Sequence, residues 1–287
     1  MFDYPAIYKE ADNISNKTQK QYLVLLGVFL CILIVSSVLF TYLNDIFVIK
    51  IANAIISLAI VVFSFVFYFN NYQGVWYNAR AVAESIKTIS WRYAIKADPY
   101  NTPDDNAKKL FLKTIKHIID MNHDFQKCIE ADYGDQQLIP ESMTKIRQLP
   151  FNERLDIYQK HRIIEQRDWY IKKSKFNKKR SSLLFCMLII LSFILTIFIF
   201  LSFSNTTNNF ILPVGILLSM ISVLFTWVQT KKYKELEKSY ALTAHEIGFI
   251  DAQKDEVKTD DLLSEYVDNS ENAFSREHTQ WIARKDT

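Results

Sequence analysis

The chain has 287 residues, a formal net charge of +3 and 49% hydrophobic residues, a bulk composition that soluble proteins share. So small a positive excess gives no electrostatic footprint for nucleic acid. Three cysteines and five scattered glycines exclude a disulfide framework and a phosphate-cradling glycine loop, and a reducing compartment fits.

The distribution of apolar residues is more telling than their number. The first apolar block, 22–43, carries no charge. It is longer than the h-region of a signal peptide, and no small-residue cleavage site follows Leu43. The second block, 46–69, holds one lysine, Lys50, near its start. No proline follows until Pro99, so this helix is expected to run on to residue 97. Asp104 and Asp105 are placed to cap a helix over 106–131 with Leu110, Ile115, Ile118, Ile119 and Phe125 on its packed face. Tyr133-Gly134-Asp135 reads as a turn, and Pro140 and Pro150 mark breaks. From about Asn152 a charged helix is expected to enter the third block, 183–203. The fourth block, 210–228, has Pro213 in its first turn and Asn208 and Asn209 available as caps. Its helix is expected to continue to about Ile250, and an acidic linker then leads to an amphipathic helix over 261–284.

A bilayer core of ~30 Å needs about 20 apolar helical residues, and every block is long enough. The expected fold class is therefore an all-α membrane protein with two two-helix transmembrane hairpins and long cytoplasmic helical extensions. The plan occurs twice, giving domains at 1–140 and 141–287. Lysine and arginine set the orientation: 3 lie in residues 1–21, 21 in 71–182 and 9 in 229–287, against none in the loop 204–209. Both termini and the central segment are expected in the cytoplasm. Tyr68, Tyr72, Trp76, Trp227 and Tyr233 fall near the inner boundaries, where amphipathic rings favour the headgroups.

Residues spaced 3, 4, 7 and 11 share a helix face. Lys50, Asn53, Ser57 and Ser64 form such a stripe in the second span, and Gly215, Ser219, Ser222, Thr226 and Gln229 form one in the fourth. The third carries only Ser192 and Thr196. Stripes of small and hydroxyl residues are packing seams in most membrane helices and pore linings in some. Both readings stand here. Lys50 is expected to snorkel to the outer headgroups, with an ion gate as the alternative.

No catalytic constellation emerges. His117, Asp120, Asp124 and Cys128 are metal-ligating types at helix-compatible spacing, yet they spread over more than two turns and read as a solvated face. Glu84, Ser85, Lys87 and Thr88 lack a nucleophile elbow and a paired acid and base. No cofactor is implied.

Five segments are more particular: YPAIYKEAD at 4–12, WYNARAVAESIKTISWRY at 76–93, QRDWYIKKSKFN at 166–177, KYKELEKSYALTAHEI at 232–247 and ENAFSREHTQWIAR at 271–284. Together they resemble the bacterial SLATT family, two-transmembrane effector domains associated with SMODS nucleotidyltransferases and SLOG sensors. The first half resembles one subtype and the second half another. The resemblance implies a non-enzymatic inner-membrane effector of a conflict or anti-phage system. Such an effector is expected to homo-oligomerise and permeabilise the bilayer on a nucleotide-linked or partner signal, from a second-messenger synthase or a sensor protein. A non-permeating scaffold or sensor that recruits a cytoplasmic partner is the alternative. The residues that carry the resemblance, Arg80, Glu84, Trp91, Trp169, Tyr240, Arg276, Glu277, His278 and Trp281, are expected in helix packing or subunit contacts.

Overall fold

A computed structural model describes residues 2–129, 137–203 and 213–283, with the side chains beyond 275 left aside. Most of the described residues are helical, and the rest lie in turns, bends and short irregular connections. Four helical stretches, 6–43, 47–95, 151–202 and 214–256, contain apolar windows long enough to cross a membrane, as the four blocks require. The expected turn at 133–135 and the caps Asn208 and Asn209 lie outside the described residues, as does the loop 204–209.

The helices run α1 (Ala6–Leu43), α2 (Phe47–Asn70), α3 (Tyr72–Ile95), α4 (Asp104–Asp120), α5 (His123–Gln126) and α6 (Glu141–Arg147). Then follow α7 (Phe151–Tyr158), a π-helical turn at Gln159–Ile164, α8 (Glu165–Ser202), α9 (Val214–Lys231), α10 (Tyr233–Asp251) and α11 (Asp260–Ala283). Three long helices expected from the sequence are interrupted. The one through 46–97 breaks at Asn71, whose φ of 40° is left-handed, and asparagine tolerates that conformation. The one out of the fourth span breaks at Lys232, with φ 48°. The one over 106–131 ends at Asp120, where the Asn122 side chain donates to the Ile118 carbonyl at 2.7 Å and ends the ladder locally.

Contacts divide the chain into two compact units. The first unit gathers 1–19, 72–174 and 238–287, so three stretches distant in sequence share it. Helix α3 is its centre. Ala79, Val82, Ala83, Ile86, Ser90 and Ala94 recur at helical spacing and are all buried, the alanines letting neighbours approach closely. Against this core lie Ile7 and Ala11 of α1, Ala107, Phe111 and Ile115 of α4, Tyr158, and Leu263, Val267 and Phe274 of α11. On α4 the deepest residues are Ala107 and Phe111; Leu110, Ile118 and Ile119, expected on that face, are only partly buried.

Two buried arginines finish the carbonyl end of α3, where the last turn leaves acceptors unpaired and the helix dipole favours a cation. Arg147 donates to the Tyr93 carbonyl at 2.8 Å, the Thr102 carbonyl at 2.9 Å and Asp104 at 2.7 Å. Arg154 donates to the carbonyls of Ile95 and Leu149 and to Asp260 at the start of α11. Each guanidinium thus joins the end of α3 to an acidic residue opening another helix.

The second unit holds 20–71 and 175–237. Tyr22 and Phe29 of α1 meet Phe63 and Phe67 of α2, with ring centroids about 6 Å apart. Leu26 and Leu30 are buried, as are Ile216 and Leu217 of α9. In contrast α2 has no buried residue, and neither has 183–202 of α8. Phe47, Phe65, Phe69, Phe185, Phe193 and Phe200 stand exposed, apolar surface that hydrocarbon would accommodate and water would not.

Candidate functional site: a buried charge cluster and two polar stripes

In α11, Leu263, Val267 and Phe274 define the buried stripe, and Glu271 falls in line with them. The same alignment places Arg162 with Leu155 and Tyr158. The two charges therefore meet inside the first unit. Arg162 donates from Nε to Glu271 Oε1 at 2.8 Å and from Nη2 to Oε2 at 2.6 Å. Tyr158 donates its hydroxyl to Oε1 and Thr88 to Oε2, each at 2.9 Å. A carboxylate offers about four lone-pair sites, and all are used. The Phe274 ring covers the guanidinium, 4.4 Å from its carbon.

Burial opposes the charge on Arg162, but the charge and hydrogen bonds of Glu271, with Tyr4 and Tyr158, together raise the guanidinium above its ordinary value. Burial pushes Tyr158 well up, and the charge of Glu271 adds to it. Burial lowers Lys87, and Arg162 and Arg80 lower it further against the pull of Glu84. The result is a sealed cluster whose charges are held in place by one another.

The residues of the sequence resemblance line the neighbouring part of the same unit. Arg80 pairs with Glu84 at 2.6 Å and reaches Asp12 at 3.6 Å, while Lys87 lies 3.8 Å from Glu84. Trp91 donates to the Tyr4 hydroxyl at 2.8 Å, stacks on Phe2 at 3.8 Å and meets Tyr158 edge-on. Trp169 and Tyr240 have ring centroids 5.5 Å apart. Arg276, Glu277, His278 and Trp281 lie on α11, with side chains outside the described residues. Arg162, Glu271, Tyr158, Arg147 and Arg154 are absent from the expected set. The signal for each was a charge or hydroxyl set in register with an apolar stripe.

In the second unit the fourth-span stripe divides. Gly215 and Ser219 face α1: Ser219 lies 3.0 Å from the Ser37 hydroxyl, and a Cβ added at Gly215 would meet Thr41 Oγ1 at 4.0 Å. Ser222, Thr226 and Gln229 stay exposed, with Thr226 donating to the Ser222 carbonyl at 2.8 Å. On α2, Ser57 donates to Ala54 and Ser64 to Ile60, both within their own helix. Asn53 has both amide atoms shielded and without a partner among the described residues, and Lys50, in the first turn of α2, is exposed. Thr196 bonds back to Ser192 at 2.9 Å.

The candidate metal group is spread over two elements, with His117 and Asp120 on α4 and Asp124 on α5. Asp124 instead accepts from Asn78 and Lys127. Among the described residues no three His, Cys, Asp or Glu side chains converge.

Two family models match the chain. One, described as SMODS and SLOG-associating 2TM effector domain 3, matches residues 5–155. The other, described as SMODS and SLOG-associating 2TM effector domain 1, matches residues 158–281. No curated protein and no solved structure matches it.

Proposed function

Since the chain belongs to the SLATT family and carries two such effector domains in tandem, we propose that it is a pore-forming effector of a bacterial conflict system. In this reading it sits in the inner membrane with both termini in the cytoplasm. It homo-oligomerises, and it permeabilises the bilayer when a nucleotide-linked signal or a partner protein reaches its cytoplasmic helices. The tandem family match carries the proposal. The domains are taken as 1–140 and 141–287, and no catalytic step is invoked.

Physical features support the assignment. A four-helix protomer is too small to enclose a wide channel, so a pore requires several copies. Helix α2 and residues 183–202 of α8, none of them buried, offer the surface for such assembly. The exposed part of the fourth-span stripe, Ser222, Thr226 and Gln229, supplies polar groups that could meet water. Inducible expression with a membrane-potential dye tests it: potential should collapse on activation, and intact potential in resting and activated cells counts against it.

A second reading, a non-permeating scaffold or sensor that recruits a cytoplasmic partner, is favoured by one observation. The stripe hydroxyls of Ser57, Ser64 and Thr226 are satisfied within their own helices and need no water. Its sign would be stable co-purification of a soluble enzyme with no leakage from reconstituted liposomes.

A further inference from the structure

Helix α10 buries one face in the first unit through Ser239, Thr243, Ala244 and Ile247. Its opposite face carries Leu242 at 56% and Phe249 at 73% exposure, two turns apart on one line of the helix, with His245 exposed between them. Elsewhere among the described residues of the first unit, exposed large apolar side chains stand singly, at Met121, Leu138, Ile171 and Leu262. Trp169 packs on Tyr240. Single exposed apolar residues need no explanation, whereas an aligned pair beyond the last span marks a contact face. Charge is arranged head to tail around this face. Lys234 and Lys238 lie exposed in the first two turns of α10, and Asp255 and Glu256 lie exposed just past its end. None of the four makes an ion pair among the described residues, while Lys254 is taken by Asp156 at 2.9 Å. Glu235 and Lys258 offset one charge at each end.

We infer that this face of α10 is a contact between two copies of the chain, paired head to tail about a two-fold axis. Leu242 of each copy then meets Phe249 of the other. Lys238, one turn before Leu242, comes level with position 253 of its neighbour, beside Asp255 and Glu256. The face complements itself in both charge and apolar residues, which a two-fold contact requires. A bilayer surface would favour a uniformly basic rim, and this rim holds both signs. The left-handed Lys232 breaks the helix between the fourth span and α10, so two copies can insert in one membrane and still pair α10 in opposite directions. The contact rests on the homo-oligomer of the proposed function and names one surface for it.

The test uses the full chain in detergent, with Cys31→Ser, Cys128→Ser and Cys186→Ser for the cross-linking arm. Leu242→Cys and Phe249→Cys, each alone, should give no disulfide-linked dimer on mild oxidation, whereas an equimolar mixture of the two should. Leu242→Asp with Phe249→Asp should weaken self-association, followed by light scattering, at least ~30-fold, the loss expected for a pair of anchoring apolar side chains. Lys238→Glu should weaken it about twofold to fivefold, and adding Glu256→Lys should restore it. Every altered side chain on this face is exposed, so the helical circular-dichroism spectrum should stay native. Should the aspartate variant misfold, the cysteine mixture carries the test. A dimer from either cysteine alone, none from the mixture, or an oligomer unchanged by the aspartate variant overturns the contact and leaves the oligomer of the proposed function standing. A monomeric wild type overturns both. Quenching of a fluorophore on Phe249→Cys by spin-labelled lipid in reconstituted vesicles would give the face to the bilayer and also overturn the contact.

Discussion

Arg162 and Glu271 stand 109 residues apart and join through two hydrogen bonds, at 2.8 and 2.6 Å, with both side chains essentially inaccessible to water. Removing one partner leaves the other charge buried. Glu271→Leu alone should destabilise the chain by about 3–5 kcal/mol. Glu271→Leu combined with Arg162→Met should recover most of that loss, because neither charge then remains. Thermal unfolding in detergent measures both, and equal losses in the single and double variants would refute the coupling.

Lys87 gives a pH signature. Its pKa is lowered first by burial and then by Arg162 and Arg80, from an ordinary 10.5. The unfolded lysine therefore holds its proton to higher pH than the folded one. This is a penalty on the fold at neutral pH that fades as pH rises toward 10.5. Lys87→Met should raise the midpoint at pH 7 and lose its advantage near that alkaline limit. A gain constant across the range contradicts the assignment.

Tyr158 titrates in the opposite sense. Its raised pKa, caused by burial and then by Glu271, stabilises the fold below the unfolded value of 10.0. That contribution is lost as pH rises above this value toward the folded pKa. Tyr158→Phe should cost about 1.5–3 kcal/mol at pH 7, since it removes a hydrogen bond to a charged group. Its stability should then decline less steeply above pH 10 than that of the wild type, as alkaline melting curves would show.

The Ser37–Ser219 contact makes a seam between α1 and α9 that can be trapped. Ser37→Cys with Ser219→Cys should form an intramolecular disulfide on mild oxidation, given the 3.0 Å between the hydroxyl oxygens. Gly215→Ala should leave cross-linking unchanged, because the added Cβ has ordinary contact with Thr41. Gly215→Leu should abolish it. Retained cross-linking in Gly215→Leu would mean the helices do not depend on close approach there.

Under the proposed function, permeation depends on the other part of that stripe. If Ser222, Thr226 and Gln229 meet water in an assembled pore, Ser222→Leu with Thr226→Leu should suppress dye-reported depolarisation without altering oligomer size in detergent. Loss of the oligomer would assign these positions to packing.

The spans were legible in the sequence because hydrocarbon demands long uncharged apolar runs, a constraint that acts within each segment. The breaks at Asn71 and Lys232 were not, since neither proline nor glycine marks them and a single left-handed residue suffices. Arg80, Glu84 and Trp91 were legible through resemblance, and all three lie on α3. The Arg162–Glu271 pair was harder to see. Local reading assigns a lone charge on an amphipathic helix to solvent, and only the distant partner makes its burial tolerable. Arg147 and Arg154 escaped for a related reason, since two thirds of their hydrogen-bond partners are backbone carbonyls that no side-chain pattern reveals.

The three-part make-up of the first unit has a consequence for biosynthesis. At ~5–20 residues per second, Arg162 leaves the ribosome about 5–20 s before Glu271. During that interval its guanidinium and the Tyr158 hydroxyl lack their Glu271 acceptor, and both apolar segments of the second hairpin are synthesised within it. The first unit therefore closes only after the last of the four apolar segments has been synthesised, which ties completion of its fold to the end of translation.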